Sequence, residues 1–169
     1  MSFSLHSASV PALTRMLGNL LAILDKAQAH AEARKFSPDS YLAQRLAPDM
    51  LPFKAQILIA CDTAKGCAAR LGGVELPAWP DNEATLEDLR ARIRRTIDFV
   101  QSVPAAGFEG AETRAIVVPA RVGERHFTGA SYLTDFVLPN FYFHLSMAYA
   151  LLRQAGVELG KMDFLGKIG

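Results

Sequence analysis

Apolar positions recur at helical spacing through most of this chain. Val10, Leu13, Leu17, Leu20, Leu21 and Leu24 line one face of a first helix over residues 6–35, with Ser7 or Ser9 capping it and Pro11 in its first turn. A loop at Ser37-Pro38-Asp39-Ser40 and a short helical piece over 41–46 follow. A second helix opens at Pro48-Asp49 and carries the stripe Phe53, Ile57, Ala60, Ala64, Ala68 and Leu71 to a Gly72-Gly73 stop. Pro52 fits only a first turn, which places Asp49 at the N-cap. Leu86, Leu89, Ile93, Ile97 and Val100 define a third helix, with Thr85 and Asp88 spaced as a capping box and Pro104 as the terminator.

The period then changes. Residues 115–119 and 126–128 are β-prone and flank a turn around Val122-Gly123-Glu124, which predicts a small hairpin. A fourth helix over 129–154 is apolar nearly all round, kinked at Pro139 and stopped at Gly156. Phe164 and Leu165 in the tail are expected to dock on the body. The pattern is all-α: one domain over residues 1–169, built as a four-helix bundle with a β-hairpin between helices 3 and 4.

Composition narrows the function classes. The chain has 169 residues, 50% hydrophobic, with 18 Lys+Arg against 17 Asp+Glu. That balance gives no basic face for nucleic acid. Arg90, Arg92, Arg94 and Arg95 alternate with Glu83, Glu87 and Asp88 and read as a solvated helix face. No apolar run approaches the ~20 residues of a membrane span, and the N-terminus lacks a basic start, so a cytoplasmic protein without a membrane partner is expected. Cys61 and Cys67 stand about 240° and ~9 Å apart on one helix, too far for a disulfide. They read as small buried apolar residues.

The chemistry concentrates in Leu138-Pro139-Asn140-Phe141-Tyr142-Phe143-His144. Positions four apart share a helix face, so Asn140 and His144 point to one place in apolar surroundings and need partners there. His144 is either a general base or ligand, its pKa near neutrality, or a core imidazole satisfied by Asn140 or a second-helix acid. Asn140 is either its polar partner or the cap of a helix restarted after Pro139. Gln56 lies seven residues past Asp49, on the same face, and is placed to bond across the bundle. Asp62 sits about 120° from Gln56 and reads more simply as a surface partner of Lys65 or Lys54. Tyr142 and Tyr149, seven apart, either send hydroxyls to a common pocket or pack. His6, His30 and His126 show no ligand spacing, and His30 is expected to be exposed. No phosphate loop, nucleophile elbow or Ser/His/Asp series is present.

Five strings carry a resemblance: Leu46-Ala47-Pro48-Asp49-Met50 with Gln56, Asp62-Thr63-Ala64-Lys65-Gly66, Asp81-Asn82-Glu83-Ala84-Thr85, the 138–144 segment, and Gly160-Lys161-Met162-Asp163-Phe164-Leu165-Gly166. Over nearly the whole chain they resemble a bacterial domain-of-unknown-function family of the DinB/YfiT-like superfamily. The resemblance implies an up-down-down-up four-helix bundle, often a homodimer. It also implies, for active members, a divalent metal held by one histidine on the second helix and a His-x-x-x-His pair on the last. Some such members are hydrolases or thiol-dependent transferases and isomerases.

This chain departs from that pattern. Asn140-x-x-x-His144 replaces the histidine pair, and the second helix offers only Gln56 and Asp62. Amides are poor ligands for zinc or nickel, so no metal set is assigned and the cofactor stays unknown. The expected site has His144 as its catalytic residue. Asn140, Gln56, Asp49, Asp62 and Tyr142 line a pocket for a small-molecule ligand. A degenerate metal- or thiol-dependent enzyme and a non-catalytic ligand-binding or structural dimer both remain open.

Overall fold

The structure is a computed structural model and describes residues 4–167. Helix α1 (Leu5–Ala33) starts from a reciprocal capping box in which Ser4 and Ser7 each accept the other's backbone N–H. The cap is therefore Ser4, three residues before the earlier of the two expected serines. Ser9 is instead buried and donates to the Leu5 carbonyl at 2.6 Å. Pro11 lies beyond the first turn, on the exposed side of the helix. Helix α2 (Phe53–Gly72) starts three residues later than an N-cap at Asp49 predicts, because Leu51 precedes a proline and is disfavoured in the α region. Pro52 is the N-cap residue, and Asp49 lies exposed in the preceding turn.

Helix α3 (Leu86–Ser102) opens with the expected Thr85–Asp88 capping box. Strands β1 (Ala115–Pro119) and β2 (Glu124–Thr128) pair antiparallel, with Ile116 opposite Phe127 and Val118 opposite Arg125. Gly123 supplies the positive φ of 69° that the turn requires. Helix α4 covers residues 129–154, and α5 (Lys161–Leu165) closes the chain against α1. There Asn19 and Arg15 donate to the Phe164 and Leu165 carbonyls, and Phe164 meets Tyr149 edge to face. The tail docks as expected. Short 3₁₀ turns at Pro38–Ala43, Ala105–Phe108 and Ala111–Thr113 fill the connections.

Cross-helix contacts fix the directions. Lys54 near the start of α2 reaches the Glu83 carbonyl just before α3, and Gly72 at its end faces Val103 just after α3, so α2 and α3 run parallel. Arg90 of α3 bonds the Leu24 carbonyl of α1, and His6 meets Phe108 beyond α3 edge to face, so these two are antiparallel. Gln56 and Arg70 of α2 meet His144 and Tyr132 of α4 in reverse order. The result is the up-down-down-up four-helix bundle that the resemblance implies.

Leu13, Leu17, Leu24, Phe53, Ile57, Leu71, Leu89 and Phe141 form its fully buried centre. Among the described residues one helix, α1, is long and apolar enough over an 18-residue window to cross a membrane. No such run was expected. Half of that window is buried inside the bundle, as in a core helix.

Pro139 does not break α4. In a regular α-helix its ring would press on the Asp135 carbonyl, which would also lose its donor. A π turn over Tyr132–Val137 precedes it instead, and the Leu138 N–H reaches the Leu133 carbonyl five residues back. The extra residue is packed from outside by the hairpin, where Phe127 contacts both Tyr132 and Phe136.

The hairpin-to-helix junction is tight at Gly129. A Cβ there would overlap the Ala111 carbonyl oxygen and sit 3.1 Å from Leu71 Cδ2. Gly129→Ala is expected to destabilise the fold by about 1–3 kcal/mol, the usual cost of overpacking. Urea unfolding should show a lower midpoint at unchanged slope.

Candidate functional site

Three polar contacts cross the otherwise apolar seam between α2 and α4. Gln56 meets His144, Thr63 meets Asn140 and Arg70 meets Tyr132. The α2 partners are spaced by seven, which keeps them on one face of that helix. In an unbroken α-helix Tyr132 and Asn140 would lie about 80° apart, and the one-residue widening of the π turn removes about 100° of rotation. The π turn is what brings both onto α2.

The Gln56–His144 contact determines a protonation state. The Gln56 Nε2 amide donates to the Leu51 carbonyl at 2.9 Å, so its Oε1 faces the imidazole as an acceptor. His144 Nδ1–H therefore donates to Gln56 Oε1 at 2.8 Å, and Nε2 keeps its lone pair. Nε2 has no protein partner among the described residues, yet it is not one of the fully buried orphan atoms. The ring is 7% exposed, and burial pushes its pKa below the ordinary value of 6.5. Exposed Phe143 lies against it edge on, with ring centroids 5.2 Å apart.

Asn140 is inside the helix and not a cap. It donates to Thr63 Oγ1 at 2.7 Å, and that hydroxyl in turn donates to the Ile59 carbonyl. Asn140 and His144 thus share a helix face but bind different residues one rung apart. Asp62 points the other way, toward α3, where it pairs with Lys65 at 2.8 Å and Arg92 at 3.1 Å. The expected pairing with Lys65 is present, but Lys65 is buried rather than on the surface, and Lys54 goes to the Glu83 carbonyl instead. Asp49 stays exposed on its turn, without the cap that was expected of it. Tyr142 is half-buried against Phe141 and, like Tyr149, makes no hydrogen bond through its hydroxyl among the described residues. The structure therefore joins Gln56 with His144 and leaves Asp49 and Asp62 apart from them. The roomier clefts, of about 620, 440 and 290 Å³, are lined by other residues.

Two expectations need correction. His30 is half-buried rather than exposed, held by a 2.6 Å contact with the Tyr41 hydroxyl. The arginines of α3 do not form one solvated face: Arg90 and Arg92 are buried, while Arg94 and Arg95 are exposed. Residues two apart on a helix face nearly opposite ways, and Arg90 and Arg92 are accordingly buried against different neighbours, Arg90 toward α1 and Arg92 toward α2. That spacing was the signal available in the sequence. Arg92, 4% exposed, binds Asp62, Asp81 and Glu83 and the Pro80 carbonyl. Burial works against its charge, but the Asp62 and Glu83 carboxylates outweigh it and hold the guanidinium above its ordinary pKa.

The donor set does not fit a transition metal. Among the described residues no three His, Cys, Asp or Glu side chains gather to hold one. The partners of His144 and its helix neighbour are an amide and a hydroxyl, which bind zinc weakly. Cys61 and Cys67 are free and buried, and burial pushes both thiols up to about 12.

Residues 5–165 match the model of a domain of unknown function, DUF1993. A crystal structure of a DinB family member protein from Shewanella denitrificans superposes with a TM-score of 0.91 at 41% identity, over 97% of this chain and 93% of that one. No functionally curated protein matches.

The depressed pKa of His144 gives a pH dependence with a definite sign. Below 6.5 the unfolded chain binds the proton more readily, so stability rises with pH through that window. The contribution is fully present above 6.5 and is lost as pH falls toward the folded-state value. Subtracting the stability of His144→Phe from that of the native chain, between roughly pH 5 and 8, should isolate this slope. A difference that grows on acidification would mean that the imidazolium is the favoured form.

Proposed function

The chain belongs to the domain-of-unknown-function family DUF1993, with a DinB-like fold, and from that premise we propose that it is a small-molecule-binding bundle in which His144 acts without a metal. One observation carries this reading: Gln56 holds His144 in the Nδ1–H form and leaves Nε2 as an unpaired acceptor beside the exposed ring of Phe143. Nε2 is not among the fully buried unpaired atoms, so a molecule from outside can reach it. A ligand with an apolar body and a hydroxyl or N–H donor would satisfy the free nitrogen. The same lone pair would take a proton from such a group if the bound molecule is also transformed.

Untagged protein should contain metal well below one equivalent. Phenol, an apolar body with one donor, should shift the His144 Nε2 resonance in ¹⁵N spectra saturably, and His144→Phe should abolish the response while keeping the helical signal. Stoichiometric metal that leaves with the His144→Phe change would sink the reading, as would a ring nitrogen indifferent to phenol.

A second reading rests on a different observation. Leu46, Leu51 and Phe143 are large, apolar and exposed, and Leu51 and Phe143 flank the Gln56–His144 contact. A second copy of the chain covering this face would make a homodimer. Light scattering should then report a dimer that Phe143→Asp converts to a monomer with unchanged helicity.

A further inference from the structure

A cleft of about 620 Å³ opens beside α3 on the far side of α2 from His144, within the range of small-molecule sites. Its floor is aromatic: Trp79 and Phe99 meet edge to face with centroids 6.1 Å apart. Three cations surround the indole, and two of them, Lys65 and Arg92, are already engaged by carboxylates. Arg95 is not. Its guanidinium lies 4.3 Å from the Trp79 centroid, and it makes no ion pair or hydrogen bond among the described residues. Stacking occupies the π-face of a guanidinium and leaves the N–H fork in its plane free for a carboxylate.

The same cleft presents two carboxylates, Glu75 and Asp98, both exposed and both without a cation partner among the described residues. Asp98 follows Arg95 by three positions on α3, so their Cβ atoms are about 5–6 Å apart. One wall thus offers a two-donor fork beside an acceptor, over an apolar aromatic floor. A purely anionic ligand would meet the two acids, and a purely cationic one would meet Arg95. A molecule bearing both charges on neighbouring atoms satisfies all three.

We propose that this cleft binds a small zwitterion, an α-amino acid with an apolar side chain. Its carboxylate lies on the Arg95 fork, its ammonium is shared by Asp98 and Glu75, and its side chain rests on Trp79 and Phe99. The contacts are exposed and few, so the affinity is that of a weak, concentration-sensing site.

Trp79 is the only tryptophan, so indole fluorescence reports this cleft alone. L-Phenylalanine should change that fluorescence saturably and give matching heat in calorimetric titration. 3-Phenylpropionate lacks the ammonium and 2-phenylethylamine lacks the carboxylate. Each should bind about tenfold more weakly, a loss of about 1.4 kcal/mol. Arg95→Met and the Glu75→Gln/Asp98→Asn pair should weaken L-phenylalanine by a similar factor at unchanged thermal midpoint, all three side chains being exposed. The proposal is overturned if L-phenylalanine gives no saturable change, if either single-charge analogue binds as well as the amino acid, or if Arg95→Met leaves its affinity intact. His144→Phe should leave this titration unchanged, which separates the cleft from the site on α4.

Discussion

Two neighbouring helices that run in the same direction must be joined by a chain that travels back the full length of one of them. Helix α2 has 20 residues and is ~30 Å long, and the segment that returns from its end to the start of α3 has no strand or helix of its own. Such a segment holds its course only through side chains. Arg92 provides them: from a buried position on α3 it binds Asp81, Glu83 and the Pro80 carbonyl of the returning chain and Asp62 of α2. Trp79 packs its ring against the same group. Buried ion pairs add little net stability, but a lone buried charge is expensive, so the arrangement penalises any other path for the connector. Together with Lys54, which holds the Glu83 carbonyl, this guanidinium ties the connector to both members of the parallel α2–α3 pair.

The helices were legible because their apolar residues repeat at 3.6, and the Thr85–Asp88 box and the hairpin follow from equally local rules. The boundaries that failed were decided by prolines and serines. Leu51 before Pro52 delayed α2, and Ser4 rather than Ser7 or Ser9 capped α1. The site was half legible. Gln56 and His144 could be placed on facing stripes, and they do bond. Asp49 shared Gln56's face on paper, yet it lies outside the helix. Whether Asp62 looks toward α4 or α3 depends on which neighbour α2 acquires on each side, a tertiary fact that periodicity does not contain. Arg92 was missed because a run of arginines was read as one face, although alternate residues cannot share one.

The α2–α4 seam and the α2–α3 seam use polarity differently. Between α2 and α3 full charges are paired off and the helices are locked. Between α2 and α4 no carboxylate takes part: Arg70 meets a tyrosine hydroxyl, the other two contacts are neutral, and one of those leaves a nitrogen unspent. An amide opposite the imidazole fixes its tautomer without adding charge, where a carboxylate would have raised its basicity. Burial holds the imidazole's pKa below its ordinary value, which favours the neutral proton acceptor over the cation. Asn140 takes no part in that choice, since its partner is Thr63.

The π turn at Tyr132–Val137 also bears on how this helix tolerates change in length. The Tyr132 end of α4 answers to Arg70 and the hairpin, and the His144 end answers to Gln56, so each half has its own alignment to keep. The wide turn between them works as an expansion joint: it absorbs one residue of mismatch without disturbing either half. Elsewhere along α4, gaining or losing a residue would swing everything beyond it by about 100° and carry the imidazole off the seam. Lineages of this fold that differ in the length of α4 should accordingly differ at the joint, and the histidine's bearing on α2 is inherited separately from whatever the hairpin end evolves to do.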